Sequence, residues 1–267
     1  CLPVDADGVA QIDGLEASGV DEGDLICVQS ANSETGVEQH VVVAGFLRLD
    51  HGCRVLCDMT QSVGKIEGCY LDGPPTPDFA LCSAHKLGGP KGVGATALRA
   101  GVDLPTPLPG GGQEHGRRSG TENVIGIAGF GAAAEAAQRD LEDGAWDRVE
   151  KLRNILEDSL EAVASDLIFF GREVKRLPNT TCFAVPGWKG ETQVMQLDLA
   201  GFAVSAGAAC SSGKVRESRV LRAMGYDALS ASSAIRVSLG PTTTEAEIRA
   251  FAGTWTELYR KRRNRAA

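Results

Sequence analysis

The chain has 267 residues, 43% of them hydrophobic, enough for one large domain or two smaller ones with a real core. Its formal net charge of −8 argues against a nucleic-acid or anionic-membrane partner, since either selects a basic face. The longest apolar stretch, VIGIAGFGAAAEAA, is too short and too rich in alanine and glycine to span a bilayer.

In chain order, CLPVDADG reads as the end of a strand entering a turn. With Cys1 in place of methionine and no signal-peptide pattern, it implies a start inside a longer protein. Short apolar, β-branched runs follow: LICVQSA, HVVVAGFLRL, RVLCDMT, FALCSAH and GVGATAL, with helical patterns between them. Strands alternating with helices predict a largely parallel sheet covered by helices. From Val124 the pattern turns helical. Trp146, Val149, Leu152, Leu156, Leu160 and Val163 recur at three- and four-residue steps, which predicts one apolar face on a long helix linking two domains. The boundary is placed between residues 138 and 139. Beyond it come a strand around TTCFAVPG, a helix from Glu191, a strand at FAVSAG, a helix ending before Gly225 and a strand AIRVSL, as expected of a compact α+β domain. The last helix opens with Thr244 and Glu247 as a capping box and presents Ile248, Phe251, Trp255 and Leu258. The basic run Arg260–Arg263 reads as its solvated end.

Eight cysteines in a chain of this length are not a disulfide framework. Several, such as Cys27 and Cys82, sit inside apolar runs, and buried reduced thiols point to the cytoplasm. Cys53 and Cys57 have a zinc-like spacing but no second Cys or His pair, so they read as core packing and no metal is assigned.

The stretch SAHKLGGPKGVG, Ser83 to Gly94, sets a lysine after a histidine and then runs into glycines. A nucleotide-binding phosphate loop needs Ser or Thr after its lysine at a helix start, whereas Lys91 is followed by Gly92 and a strand. A lysine at the end of a strand in an α/β sheet instead lies where a cofactor's reactive atom would sit. Lys86 then reads as a Schiff-base amine, which stays nucleophilic when partly desolvated; a surface lysine in a turn is the bland alternative. Asp58 ends the preceding strand and should open on the same edge, where a carboxylate keeps a pyridine nitrogen protonated. Gln61, one short turn on, could reach a ring oxygen. Asp58 could also be the N-cap of a helix beginning at TQSVGK, a role that does not exclude the other.

The stretches NSETG (Asn32 to Gly36), DMTQSVGKI, SAHKLGGPKGVGA, GGGQEHGRRSGTEN, SAGAACSSG and AIRVSLG together resemble, in order, the motifs of cysteine desulfurases, pyridoxal-phosphate enzymes of the class V aminotransferase group. The resemblance implies an α/β fold of pyridoxal-phosphate fold type I. Residues 1–138 would be the C-terminal part of the large cofactor-binding domain, with a mixed, mostly parallel sheet. Residues 139–267 would be a smaller α+β C-terminal domain carrying the catalytic-cysteine loop. It implies conversion of L-cysteine to L-alanine with sulfur carried as an enzyme persulfide, for iron–sulfur cluster or thiolation pathways. By position, Lys86 would bind the cofactor and move protons at the substrate carbons, Asp58 would pair with the ring nitrogen and Gln61 with the ring hydroxyl. Ser83 and His85 would hold the phosphate, and Thr121 would reach the phosphate of a neighbouring subunit, implying a homodimer. Arg236 and Asn32 would bind the substrate, Arg236 as a bidentate carboxylate clamp. Cys210, between small residues and glycines, would accept the sulfur and pass it to an acceptor or iron–sulfur scaffold protein.

Three features depart from the family pattern. Ser33 stands where a second asparagine is usual, His115 where arginine is common, and the N-terminal portion with its phosphate-gripping turn and ring-stacking histidine is not in this sequence. The chain alone is therefore expected to bind cofactor weakly or to be poorly soluble. A selenocysteine lyase or plain aminotransferase would share Lys86 and Asp58, and an incomplete, inactive fragment of the same fold is the other alternative.

Overall fold

The apolar runs of the first hundred residues become a sheet in the computed structural model, which describes residues 2–11, 19–39, 52–67, 76–206 and 217–266. Strands β1 (Leu25–Gln29), β2 (Arg54–Asp58), β3 (Phe79–Ser83) and β4 (Gly94–Leu98) lie side by side in that order. The first two pairings are parallel and the third antiparallel, giving the mixed, mostly parallel sheet that the alternating pattern predicts. Along β2 the strand period of two is plain: Val55 and Cys57 are buried while Arg54 and Asp58 are exposed. Cys53, just before β2, is buried as well, so the zinc-like pair packs in the core. Cys27 is exposed, against expectation, because it alternates with the buried Ile26 on β1. The run HVVVAGFLRL lies outside the described residues.

One end of this sheet is fastened by Asp78, fully buried just before β3. Its carboxylate accepts from Arg99 Nη2 at 2.7 Å, the Val55 N–H at 2.9 Å and Arg54 Nη1 at 3.3 Å. Burial alone would raise this carboxyl, but the hydrogen bonds from Arg99, Val55 and Arg54 and the Arg99 charge outweigh it and hold the group below its ordinary range.

The predicted linking helix is two helices, α1 (Val124–Glu142) and α2 (Ala145–Glu161). Gly144 separates them at φ 69°, a left-handed conformation that glycine adopts without a Cβ clash. The Asn123 side chain caps α1, its Oδ1 accepting from the Gly126 N–H. On α2 the apolar face is as read: Trp146, Val149, Leu152, Leu156 and Leu160 are all buried.

A second, antiparallel sheet is built from β5 (Ile168–Phe169), β6 (Thr180–Ala184), β7 (Ser205–Ala206) and β8 (Ala234–Ser238), in the order β5-β6-β8-β7. With it go α3 (Gly190–Leu199), α4 (Arg219–Ala223), α5 (Ala228–Ser233) and α6 (Glu245–Ala266). The capping box forms: the Thr244 N–H donates to Glu247 Oε2 and the Glu247 N–H to Thr244 Oγ1. Tyr259, not Leu258, completes the buried stripe of α6 after Ile248, Phe251 and Trp255. Trp255 stacks on Tyr259 at 5.3 Å and meets Phe183 edge-on at 5.8 Å. Its indole N–H donates to Gln193 Oε1, and Gln193 in turn donates to two main-chain oxygens, so the buried polar atoms are satisfied. Truncating so central an aromatic costs on the order of 3–5 kcal/mol.

The chain divides into two compact units: Cys1–Gly19, Ala31–Gln39 and Gly144–Ala267 in one, Val20–Ser30 and His40–Asp143 in the other. Among the described residues no helix is long and apolar enough to cross a membrane.

Candidate active site

In the unit built on β1–β4, the parallel pairing of β2 and β3 fixes where their chains emerge. Asp58, the last residue of β2, is in register with Leu81, and β3 ends two residues later at Ser83. Both strands therefore release their chemistry-bearing residues at the same carboxyl edge. After β3 a single 3₁₀ turn, Ala84–Lys86, follows, held by the Ala84 N–H donating to Val93 O and by Leu87 and Gly89 donating back to Ala84 O. Ala84 points into the core, which leaves His85 and Lys86 exposed. Ser83 Oγ and His85 Nδ1 share a hydrogen bond of 2.7 Å, so the two groups are already oriented together. Among the described residues Lys86 is exposed, unlike the partial desolvation expected of a Schiff-base amine.

Asp58 uses one carboxylate oxygen, Oδ1, to accept the Thr60 N–H at 2.9 Å. The helix weighed from sequence does not form: residues 60–65 are turns, and Asp58 caps the first of them instead, with no partner for its second carboxylate oxygen among the described residues. Its main-chain oxygen takes the Ser30 N–H and hydroxyl, and Ser30 Oγ lies 2.5 Å from Ser62 Oγ, so the end of β1 and the turn after β2 are tied to one another. Gln61 sits half-buried on that turn.

The same turn holds a residue the sequence reading passed over. Lys65 is only 8% exposed, and its Nζ donates to the Gln61 main-chain oxygen at 2.7 Å. Burial first, and then the charge of Lys86, lower its amine to about 8. A folded value below the free value of 10.5 means that burying this charge costs stability at all pH values below about 8. The cost fades between pH 8 and 10.5, as the unfolded chain discharges too. The gap corresponds to about 3 kcal/mol, against which the bond to Gln61 returns about 1 kcal/mol. Lys65→Met is accordingly expected to raise unfolding stability by about 2 kcal/mol at pH 7 and to lose that advantage near pH 10.5. Urea unfolding at the two pH values checks this; an equal effect at both would show that the charge is not what burial opposes.

The other unit carries Asn32 and Arg236. Asn32 is buried, its Oδ1 accepting the N–H groups of Glu34 and Thr35 and its main-chain oxygen that of Gly36. The side-chain oxygen is thereby spent on the NSETG turn itself. Gly36 must be glycine: its φ is 77°, and a Cβ would lie 2.9 Å from Thr180 Cβ. Ser33, the departure from the family pattern, contributes its main-chain oxygen, which accepts from Arg236 Nη1 at 2.5 Å. Arg236 Nη2 reaches Ser205 Oγ on the neighbouring strand, at 3.2 Å. Its Nε is buried and has no partner among the described residues, an orphan donor that calls for an acceptor. Beside it Ser218 caps α4 and donates its hydroxyl to Glu34 Oε2 at 2.5 Å. Burial, followed by the Glu34 charge, pushes the Cys182 thiol up to about 12, so this cysteine is inert.

Cys210, with residues 207–216 around it, lies outside the described residues. Thr121 is exposed. In the stretch before it, Glu114 and His115 take left-handed conformations at φ 50° and 55°, and Arg118 Nη1 closes on Gly120 O at 2.6 Å. Positive φ at two successive non-glycine residues is costly backbone of the kind kept at functional loops. Lys65, Glu34, Ser205 and Ser218 were not among the sequence candidates. For Lys65 the available signal was its three-residue spacing from the apolar-side positions Met59 and Ser62, all three of which are buried.

A family model described as aminotransferase class V matches residues 1–251. The chain belongs to the class V aminotransferase family. A cysteine desulfurase of Cereibacter sphaeroides is 42% identical over 249 residues, covering 92% of this chain and 62% of that protein. Among solved structures, one called NifS-like protein has a TM-score of 0.86 at 37% identity, covering 97% of this chain and 67% of that one. A NifS-like protein from Rickettsia africae has a TM-score of 0.84 at 30% identity, covering 97% and 69%. The resemblance read from the six motifs and the fold class are therefore both correct. The chain spans about three fifths of the length of the curated relatives it matches, 62% and 61% for two of them.

Proposed function

We propose that the whole protein is a pyridoxal-phosphate-dependent cysteine desulfurase, and that this chain supplies Lys86, Asp58, Arg236 and Cys210 to it. The observation that carries the proposal is the common edge of β2 and β3, where a carboxylate and an amine leave adjacent parallel strands. Relatives named cysteine desulfurase at 42% and 39% identity support this reading over the lyase and aminotransferase alternatives.

The donor set fits the cofactor. Asp58 retains a carboxylate oxygen for a protonated ring nitrogen, Gln61 stands one turn on for the ring hydroxyl, and the preoriented Ser83–His85 pair suits a phosphate. Pyridoxal phosphate, when bound, supplies the electron sink that allows the substrate Cα–H and Cβ–S bonds to break. Lys86 supplies the amine for the cofactor's aldehyde and carries the proton at the substrate carbons. Arg236, with its unpartnered Nε, and the buried Asn32 bind and orient the amino acid, the arginine by its carboxylate. The Cys210 thiolate attacks the sulfur: L-cysteine and a thiol become L-alanine and a persulfide, one C–S bond breaking as one S–S bond forms.

Thr121 reaches the phosphate of a second subunit, and the exposed apolar residues that follow it, Val124, Ile125 and Ile127, suit the subunit contact of a homodimer. The passage from the cofactor-binding domain to the C-terminal domain falls near residues 138 and 139, with the segments Cys1–Gly19 and Ala31–Gln39 belonging to the C-terminal unit. A sulfur acceptor or iron–sulfur scaffold protein in the cytoplasm takes the persulfide sulfur. The direct test is incubation of the cofactor-loaded whole protein with L-cysteine: equimolar alanine and persulfide sulfur are expected, and absence of alanine overturns the assignment.

A further inference from the structure

A buried lysine without an anion beside it needs a reason. Lys65 is enclosed on the turn that follows β2, and among the described residues it forms no ion pair with a carboxylate. Its ammonium has three donors, of which the Gln61 main-chain oxygen takes one. Charged groups on the described elements that meet this turn are Asp58 at the end of β2, His85 and Lys86 after β3, Glu67 on the turn itself, and Glu142 on α1, whose Ala137 packs against Gly64. Of these Lys86 alone acts on the amine to a notable extent, and it repels. A methionine or leucine would fill the same space without this cost, so the charge is the feature to be explained.

We propose that Lys65 is a second cation of the cofactor pocket: it fixes the Gln61 turn through the main-chain oxygen and attracts the cofactor's anionic groups, so that affinity falls as this amine loses its proton. The inference rests on the pyridoxal-phosphate reading above. Lys65 acts at a distance and through Gln61, and is therefore a positioning residue. The cofactor brings negative charge to a lysine that, among the described residues, forms no ion pair with a carboxylate and is repelled by Lys86. Binding would in turn draw the Lys65 amine back towards its ordinary range, since affinity for proton and for cofactor must change each other equally.

The test uses the whole protein freed of cofactor, with pyridoxine 5′-phosphate as probe, because it keeps ring and phosphate but has no aldehyde for Lys86 to bond. Dissociation constants are measured by calorimetry at pH 7 and 9.5 for the native protein, Lys65→Met and Lys65→Arg. The probe's own titration is common to all three and cancels in their ratios. Lys65→Met is expected to bind about tenfold more weakly than the native protein at pH 7, the size of one well-placed charge, and within about twofold of it at pH 9.5. Lys65→Arg, which stays charged, should bind more tightly than Lys65→Met by the same factor at both pH values. A native-to-methionine ratio that does not change with pH is what a merely structural lysine gives, and it overturns the proposal. No binding of the probe to the native protein at either pH would instead overturn the pyridoxal-phosphate reading on which it stands.

Discussion

Lys86→Ala is expected to lower alanine formation from L-cysteine by about 10²–10⁴-fold or more, because it removes both the amine for the cofactor and the group that carries the proton. The more searching measurement is where the cofactor is attached. Borohydride reduction of the loaded native protein, followed by peptide mapping, should place the phosphopyridoxyl mass on the peptide containing Ala84, His85 and Lys86, and in the variant that label should vanish. The competition is a real one. Lys65 has its amine lowered to about 8 by burial and the charge of Lys86, while the adjacent loop offers Lys91. Lys65, however, is buried and bonded to the Gln61 oxygen, whereas Lys86 stands exposed at the strand edge beside the Ser83–His85 pair. A label on Lys65 or Lys91 would overturn the assignment of the cofactor amine to Lys86.

Cys210→Ala should reduce alanine and persulfide production below about one hundredth of native, while the absorption of bound cofactor persists. The nucleophile acts only after cofactor and substrate have joined, so its loss spares the earlier steps. None of the described cysteines offers an equivalent substitute. Cys53, Cys57 and Cys182 are buried, burial raises the thiols of Cys53, Cys82 and Cys182, and Cys27 lies on β1, two residues before the strand ends. Unchanged turnover in the variant would move the sulfur-accepting role elsewhere and reopen the aminotransferase alternative.

How far the sequence could be read depended on what each residue's neighbours were. Asp58 and Lys86 were legible because an apolar strand ending in a charged residue dictates where that residue emerges, and parallel pairing then brings two such ends to one edge. The break at Gly144 was not, since the apolar spacing of α2 resumes at once after it and periodicity alone reads through a single glycine. Helix α5 escaped notice because ALSASS has no apolar repeat; what starts it is Asp227, whose carboxylate accepts the Ser230 N–H at 2.7 Å. Lys65 received no role from the sequence; lysines are rarely buried, which is why its burial carries information. Arg236 was legible only through the resemblance of AIRVSLG, and its partners Ser33 and Ser205 lie far away in sequence, where only the fold could supply them.

The placement of Asp78 has a consequence for how the site can change. Its carboxylate joins Arg54 and Val55 at the beginning of β2 to Arg99 just beyond β4. Asp58 is at the other end of β2, four residues or roughly 13 Å along the strand. Anchorage and chemistry thus occupy opposite ends of the same backbone. Residues at the working end can be exchanged, one specificity for another, without loosening the joint that keeps the strands in register. The strands themselves act as spacers, and the scaffold is free to vary its reaction while its footing stays the same.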